Sequence, residues 1–165
     1  MSKMAKIVKE CIDKYVGGNK YFDEMDDRIK YDEEILEELV EDMYCFGRVL
    51  ILSGQFGRQM VSYLKEKHRY IDYILLVGSP RKMEKVTIKD IRLENFNVKL
   101  REAVFVDDTF FSGRTFFYCK GVVEATFGLQ VNHAIVAYDG GKHEQSYLES
   151  LYRYYDYYDI NGKPY

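Results

Sequence analysis

The stretch that most constrains the fold is Val104-Phe105-Val106-Asp107-Asp108-Thr109-Phe110-Phe111-Ser112-Gly113-Arg114-Thr115. Three apolar residues run into two adjacent carboxylates, then into a short turn with hydroxyls and a glycine that opens an apolar-periodic segment near Arg114. The pattern reads strand, loop, helix. In an open parallel sheet the carboxyl ends of the strands face the ligand crevice, which puts Asp107 and Asp108 at the mouth of a site. A helix beginning just past Gly113 aims unpaired backbone N–H groups, with the Ser112 and Thr115 hydroxyls, into the same crevice, and that combination holds a phosphate. One loop thus offers carboxylates for hydroxyls or a cation and a cradle for phosphate, the two parts of a sugar phosphate. The alternative is an ordinary strand-to-helix turn with Asp107 and Asp108 solvated or capping.

The same punctuation recurs along the chain. Val49-Leu50-Ile51-Leu52 is the continuous apolar run of a strand buried on both faces. It empties into Ser53-Gly54-Gln55-Phe56-Gly57-Arg58, followed by a helical stretch with Met60, Val61 and Leu64 inward. A Gly-bearing turn between strand and helix is again a phosphate-type site; the alternative is a tight turn in which Gly57 spares a steric clash. Tyr73-Ile74-Leu75-Leu76-Val77 repeats the strand pattern and ends in Gly78-Ser79-Pro80-Arg81-Lys82. Two cations there would neutralise a departing diphosphate, or are simply a surface basic pair. After the central motif, Phe116, Phe117, Cys119, Val122, Val123 and Phe127 predict a helix that stops at Gly128. His133-Ala134-Ile135-Val136-Ala137-Tyr138 is a further strand, closing in Asp139-Gly140-Gly141, and His133 reads as a strand-start residue because no ligand partner stands at useful spacing. Three strand-loop-helix units and a fourth strand make an α/β, doubly wound pattern with right-handed crossovers.

The rest is less committed to chemistry. Met4, Ile7, Val8, Cys11, Ile12 and Tyr15 stand at helical spacing before a breaker at Gly17-Gly18-Asn19, and the acidic piece Asp23 to Asp27 reads as solvated rather than as a metal site. A helix is predicted from Asp32, with Ile35, Leu36, Leu39, Val40 and Met43 on one face and Gly47 as its stop. From Met83 to Glu102, Val86, Ile88 and Ile91, then Phe96, Val98 and Leu100, alternate with charged neighbours, the pattern of a β-hairpin or a partly ordered excursion rather than a crossover helix. The tail from Gln145 to Tyr165 packs seven Tyr around Leu148, Leu151 and Ile160 and is expected to form an edge helix; the sharper alternative is a Tyr that stacks on a planar base.

A chain of 165 residues suits one domain with a sizeable core. Its 24 basic against 27 acidic residues leave a net charge of -3, which is no nucleic-acid footprint. Cys11, Cys45 and Cys119 are widely spaced without a CxxC pair, so they read as reduced thiols in a cytoplasmic protein. The N-terminus lacks the apolar run of a signal peptide, and no stretch approaches the ~20 apolar residues of a membrane span.

The central string resembles the signature of the type I phosphoribosyltransferases: a hydrophobic strand, two acidic residues, three variable positions, Thr or Ser, Gly, any residue, Thr. The resemblance spans roughly residues 29 to 141. It implies one domain with a mainly parallel doubly wound sheet, a flexible flap over Met83 to Glu102, and a small base-selecting hood drawn from the variable segments 1–28 and 142–165. It further implies that Asp107 and Asp108 hold the ribose hydroxyls of phosphoribosyl pyrophosphate (PRPP), and that Thr109, Phe110, Phe111, Ser112, Gly113, Arg114 and Thr115 bind its 5-phosphate. Ser53, Gly54, Gln55, Phe56, Gly57 and Arg58, with Arg81 and Lys82, would meet the pyrophosphate. Mg2+ would be held through the substrate, the partners would be PRPP and a small base, and the Tyr-rich surface would suit a homodimer. Two departures matter. Members acting on 6-oxopurines commonly carry an acidic residue where Phe111 stands, which counts against hypoxanthine or guanine. The aromatic there is nearer the uracil transferase and transcription-attenuator proteins. The rival expectation is a regulatory module of the same fold that binds PRPP or a nucleotide without turning it over. A phosphatase with Asp107 as nucleophile fits less well, because such sites want acidic residues two apart.

Overall fold

The computed structural model describes residues 33–41, 45, 47–78, 83–94, 101–156 and 158–165. The N-terminal helix expected over residues 4–15, the acidic piece at 23–27, Asp32, Met43, Arg81, Lys82 and the 96–100 half of the expected hairpin lie outside them.

β1 (Val49–Ser53) is buried at every position and forms the middle of the sheet. It pairs in parallel with β2 (Tyr73–Val77) on one side and with β4 (Glu102–Phe110) on the other. β5 (Gln130–Asp139) and β6 (Leu148–Arg153) continue in parallel beyond β4, while β3 (Thr87–Arg92) runs antiparallel at the far edge of β2. The six-stranded order is β3-β2-β1-β4-β5-β6.

Because side chains alternate along a strand, each central strand feeds two cores. Leu50, Leu52, Val104, Val106, Ile135 and Ala137 meet Leu36, Leu39 and Val40 of α1 (Glu33–Glu41) and Phe56, Met60 and Leu64 of α2 (Gly54–Glu66). Val49, Ile51, Ala103, Phe105, Ala134 and Val136 face the other way, onto Phe116, Cys119 and Val123 of α3 (Arg114–Phe127). Helices thus cover both faces, as a parallel sheet requires. Full burial of each large aliphatic or aromatic side chain stabilises the fold by about 1.5–3 kcal/mol. At the amino-terminal edge the Asp72 carboxylate pairs with Arg101 and accepts the Glu94 N–H at 3.2 Å, while Arg101 donates to the Gly47 carbonyl at 3.1 Å. One buried carboxylate therefore ties the end of β3 to the start of β4.

Two expectations are corrected. The tail is no edge helix: Leu148–Arg153 is a sixth strand, in register with β5 (Val136 opposite Ser150, Tyr138 opposite Tyr152), followed by a 3-10 turn over Tyr154–Asp156. The open edge of β5 offers a ladder, and that tertiary pairing overrides the weak helical preference of Leu148-Glu149-Ser150-Leu151. Thr87–Arg92, the described half of the expected hairpin, is a strand that pairs with β2 and belongs to the sheet. The turn expected over Ser53–Arg58 is helix from Gly54 onward.

Candidate functional site

The sheet grows outward in two directions from its middle. β1 leads through α2 to β2 on one side, and β4 leads through α3 to β5 on the other, with the two helices on opposite faces. The order therefore reverses between β1 and β4, and the crevice outside their carboxyl ends is the topological switch point.

The parallel β1–β4 register, Val49 opposite Ala103 to Ile51 opposite Phe105, brings Ser53 and Asp107 to the same end of the sheet. Cys119, fully buried on α3, lies beneath both. Burial pushes its thiol up to about 12; the hydrogen bond with Ser53 works the other way, and the Asp107 charge adds to the rise. Such a thiol is a structural group, not a nucleophile. Asp107 and Asp108 are half-buried on β4 itself, which continues to Phe110. The Asp108 N–H donates to Asp107 Oδ1 at 2.9 Å, and the Thr109 N–H donates to Asp108 Oδ1 at 2.8 Å, so each carboxylate is pinned by the next residue's backbone.

Beyond Asp108 the chain leaves β4 at Phe110 and turns over residues 111–113 into α3. The Phe110 ring is buried against Phe116 and Tyr147, at 6.1 and 6.2 Å between centroids, whereas Phe111 is 44% exposed. The Ser112 hydroxyl is 3.4 Å from the Arg114 N–H. Gly113 caps α3 with φ 77, a left-handed conformation that a side chain would strain, and a Cβ there would also meet Phe110 Cζ at 2.8 Å. α3 has no acidic residue in its first turn, and neither has α2, whose N-cap residue is Ser53. Two helix amino-termini, each carrying partial positive charge, converge on the switch point from opposite faces.

The six residues from Ser53 to Arg58 are not all brought to this crevice. Ser53, Gly54 and Gln55 stand at the strand-helix junction, and Arg58 is exposed on α2. Phe56 is buried in the core, and a Cβ on Gly57 would lie 2.7 Å from Leu75 Cδ1, so Gly57 spares a clash between α2 and the sheet. One crevice-edge group was missed in the sequence. Asp139, 2% exposed, ends β5 opposite Phe110 of β4 and Arg153 of β6, and its Oδ1 accepts the Gly141 N–H at 2.8 Å. Burial raises its carboxyl above the ordinary range, against the lowering effects of the Gly141 bond and the Arg153 charge. The signal was available: a strand closing in an acidic residue and two glycines repeats the strand-acid-glycine order of the central motif.

No protein-family model and no curated protein matches the sequence. Solved structures do. The purine phosphoribosyltransferase of Pyrococcus horikoshii aligns with a TM-score of 0.52 at 17% identity, over 73% of this chain and 80% of that one. The adenine phosphoribosyltransferase of Thermoanaerobacter pseudethanolicus gives 0.51 at 17% identity, over 73% and 79%. The fold is that of the type I phosphoribosyltransferases. The orotate phosphoribosyltransferase of Francisella tularensis shares it at a TM-score of 0.50 and only 8% identity, over 74% of this chain and 65% of that one. A phosphoribosyltransferase fold held at such identity is carried by the sheet order and the two-sided core, while the chemistry must be argued from the side chains at the switch point.

Proposed function

We propose that this chain transfers the ribose 5-phosphate of PRPP to a nitrogenous base and releases pyrophosphate. The observation that carries the reading is the adjacency of two backbone-pinned carboxylates near the end of β4 to the amino-terminus of α3, at the switch point.

In this reading Asp107 and Asp108 accept hydrogen bonds from the two ribose hydroxyls and fix the sugar, while the backbone of Thr109 to Thr115 takes the 5-phosphate. Ser53, Gly54 and Gln55 at the start of α2, joined by Arg81 and Lys82, receive the pyrophosphate and offset its charge as it leaves. The bond from C1 to the pyrophosphate oxygen breaks as the bond from C1 to the incoming nitrogen forms. Positioning and charge stabilisation carry the step without a covalent intermediate, and Cys119 takes no part. Among the described residues no three His, Cys, Asp or Glu side chains gather around a metal position. Asp107 and Asp108 are the residues that would hold a Mg2+ ion together with the substrate, and the ion would supply charge stabilisation for the leaving group.

Pyrophosphate release from Mg2+ and PRPP, followed across a panel of purines and pyrimidines, tests the reaction. Release with one class of base is the expected result. Tight PRPP binding with no release for any base would favour the regulatory module instead.

A further inference from the structure

Gly140 follows the last residue of β5, and its backbone is not among those with positive φ, so nothing in its conformation calls for glycine. What calls for it is Phe111. A Cβ on Gly140 would lie 1.9 Å from Phe111 Cε1 and 2.4 Å from Cδ1, so the ring occupies the space that any other residue's side chain would fill. The ring also meets Tyr138 edge-on, 6.1 Å between centroids. From the same residue, the Gly140 N–H donates to the Phe110 carbonyl at 2.8 Å, extending the β4–β5 ladder to the start of the phosphate loop. On the opposite side Phe110 is buried among Phe116 and Tyr147 and presses toward Gly113. Two successive aromatic rings thus anchor the loop, one in the core beneath α3 and one on the turn after β5.

We propose that Gly140 is a positioning residue for the sugar-phosphate loop: by seating the Phe111 ring and bonding the Phe110 carbonyl, it holds Thr109 to Gly113 in the shape that accepts the 5-phosphate. The inference rests on the proposed function for the identity of the ligand, but its structural half stands apart from it. A loop held from both sides meets its anion without first being ordered, and misplacement of such groups by about 1 Å can cost on the order of 100-fold in a reaction.

The test is a double-mutant cycle of Gly140→Ala and Phe111→Ala, read by amide hydrogen exchange of residues 109–115 in the free protein and by titration with PRPP and Mg2+. The displaced atoms are the far end of a part-exposed side chain, so Gly140→Ala can swing the ring outward and still fold. It is expected to speed loop exchange and to weaken PRPP binding by roughly tenfold or more, with Phe111→Ala costing less. In the Phe111→Ala background, adding Gly140→Ala should change either readout by less than about twofold, because the pair then no longer meets. Unchanged exchange in Gly140→Ala, or a double variant impaired as much again as the first substitution alone, overturns the clamp. If exchange responds as expected but the wild type binds no PRPP, the proposed function fails and the positioning role falls with it. PRPP binding that Gly140→Ala leaves intact sinks the clamp alone.

Discussion

Gly57 shows how much a single missing side chain decides. Its Cα lies against the sheet, where a Cβ would come within 3.0 Å of the Leu52 carbonyl carbon as well as 2.7 Å of Leu75 Cδ1. Gly57→Ala is therefore expected to lower stability by about 1–3 kcal/mol through overpacking, measured as a shift of the denaturant midpoint. Asp139 makes a prediction with a sign. Its folded-state pKa is raised by burial, so the folded protein holds the proton more tightly than the unfolded chain does, and stability falls as pH rises through the interval above the unfolded value of about 3.9. Asp139→Asn keeps an oxygen for the Gly141 N–H and removes the buried charge. It should raise the melting temperature at pH 7, and the gain should vanish near pH 3.5. A gain that persists unchanged in acid would mean that burial of the charge is not the cause.

At the scale of elements, the parts legible in the sequence were those whose apolar pattern is decided locally. Val49–Ser53, Tyr73–Val77 and the helix from Arg114 to the Gly128 stop follow from continuous apolar runs, helical spacing and glycine punctuation. The candidate site was legible for the same reason, since Asp107 to Thr115 is one contiguous string. What was not legible depends on distant partners. β6 exists because β5 has an edge to offer, and the pairing of Thr87–Arg92 with β2 could not be read from its own alternation. Ser53 to Arg58 looks like a loop because its glycines are read as turn residues, whereas Gly57 is there for helix-sheet contact. The tie between β3 and β4 was equally hidden, since Asp72 and Arg101 are far apart in sequence. With side chains only 3% and 12% exposed, this pair should behave as a buried one: Asp72→Ala is expected to cost about 3–5 kcal/mol. Glu102→Ala, which removes the more exposed partner of Arg48 at 3.1 Å, should cost less than about 1 kcal/mol. Equal midpoint shifts for the two variants would contradict this ranking.

For the whole molecule, a doubly wound sheet turns two helix amino-termini and the end of β4 toward one crevice, and everything proposed about function depends on that convergence. Among the described residues no helix is long and apolar enough to cross a membrane. The central claim is that the crevice takes a sugar phosphate through the Asp107-Asp108 pair, and calorimetric titration tests it most directly. PRPP with Mg2+ is titrated into the wild type and into the Asp107→Asn/Asp108→Asn variant, with circular dichroism to verify that the variant is folded. The account predicts saturable binding to the wild type and at least a roughly tenfold weaker interaction in the variant, since charged hydrogen bonds contribute about 1.5–3 kcal/mol each. Absence of binding to the folded wild type, or equal affinity for both proteins, would contradict it.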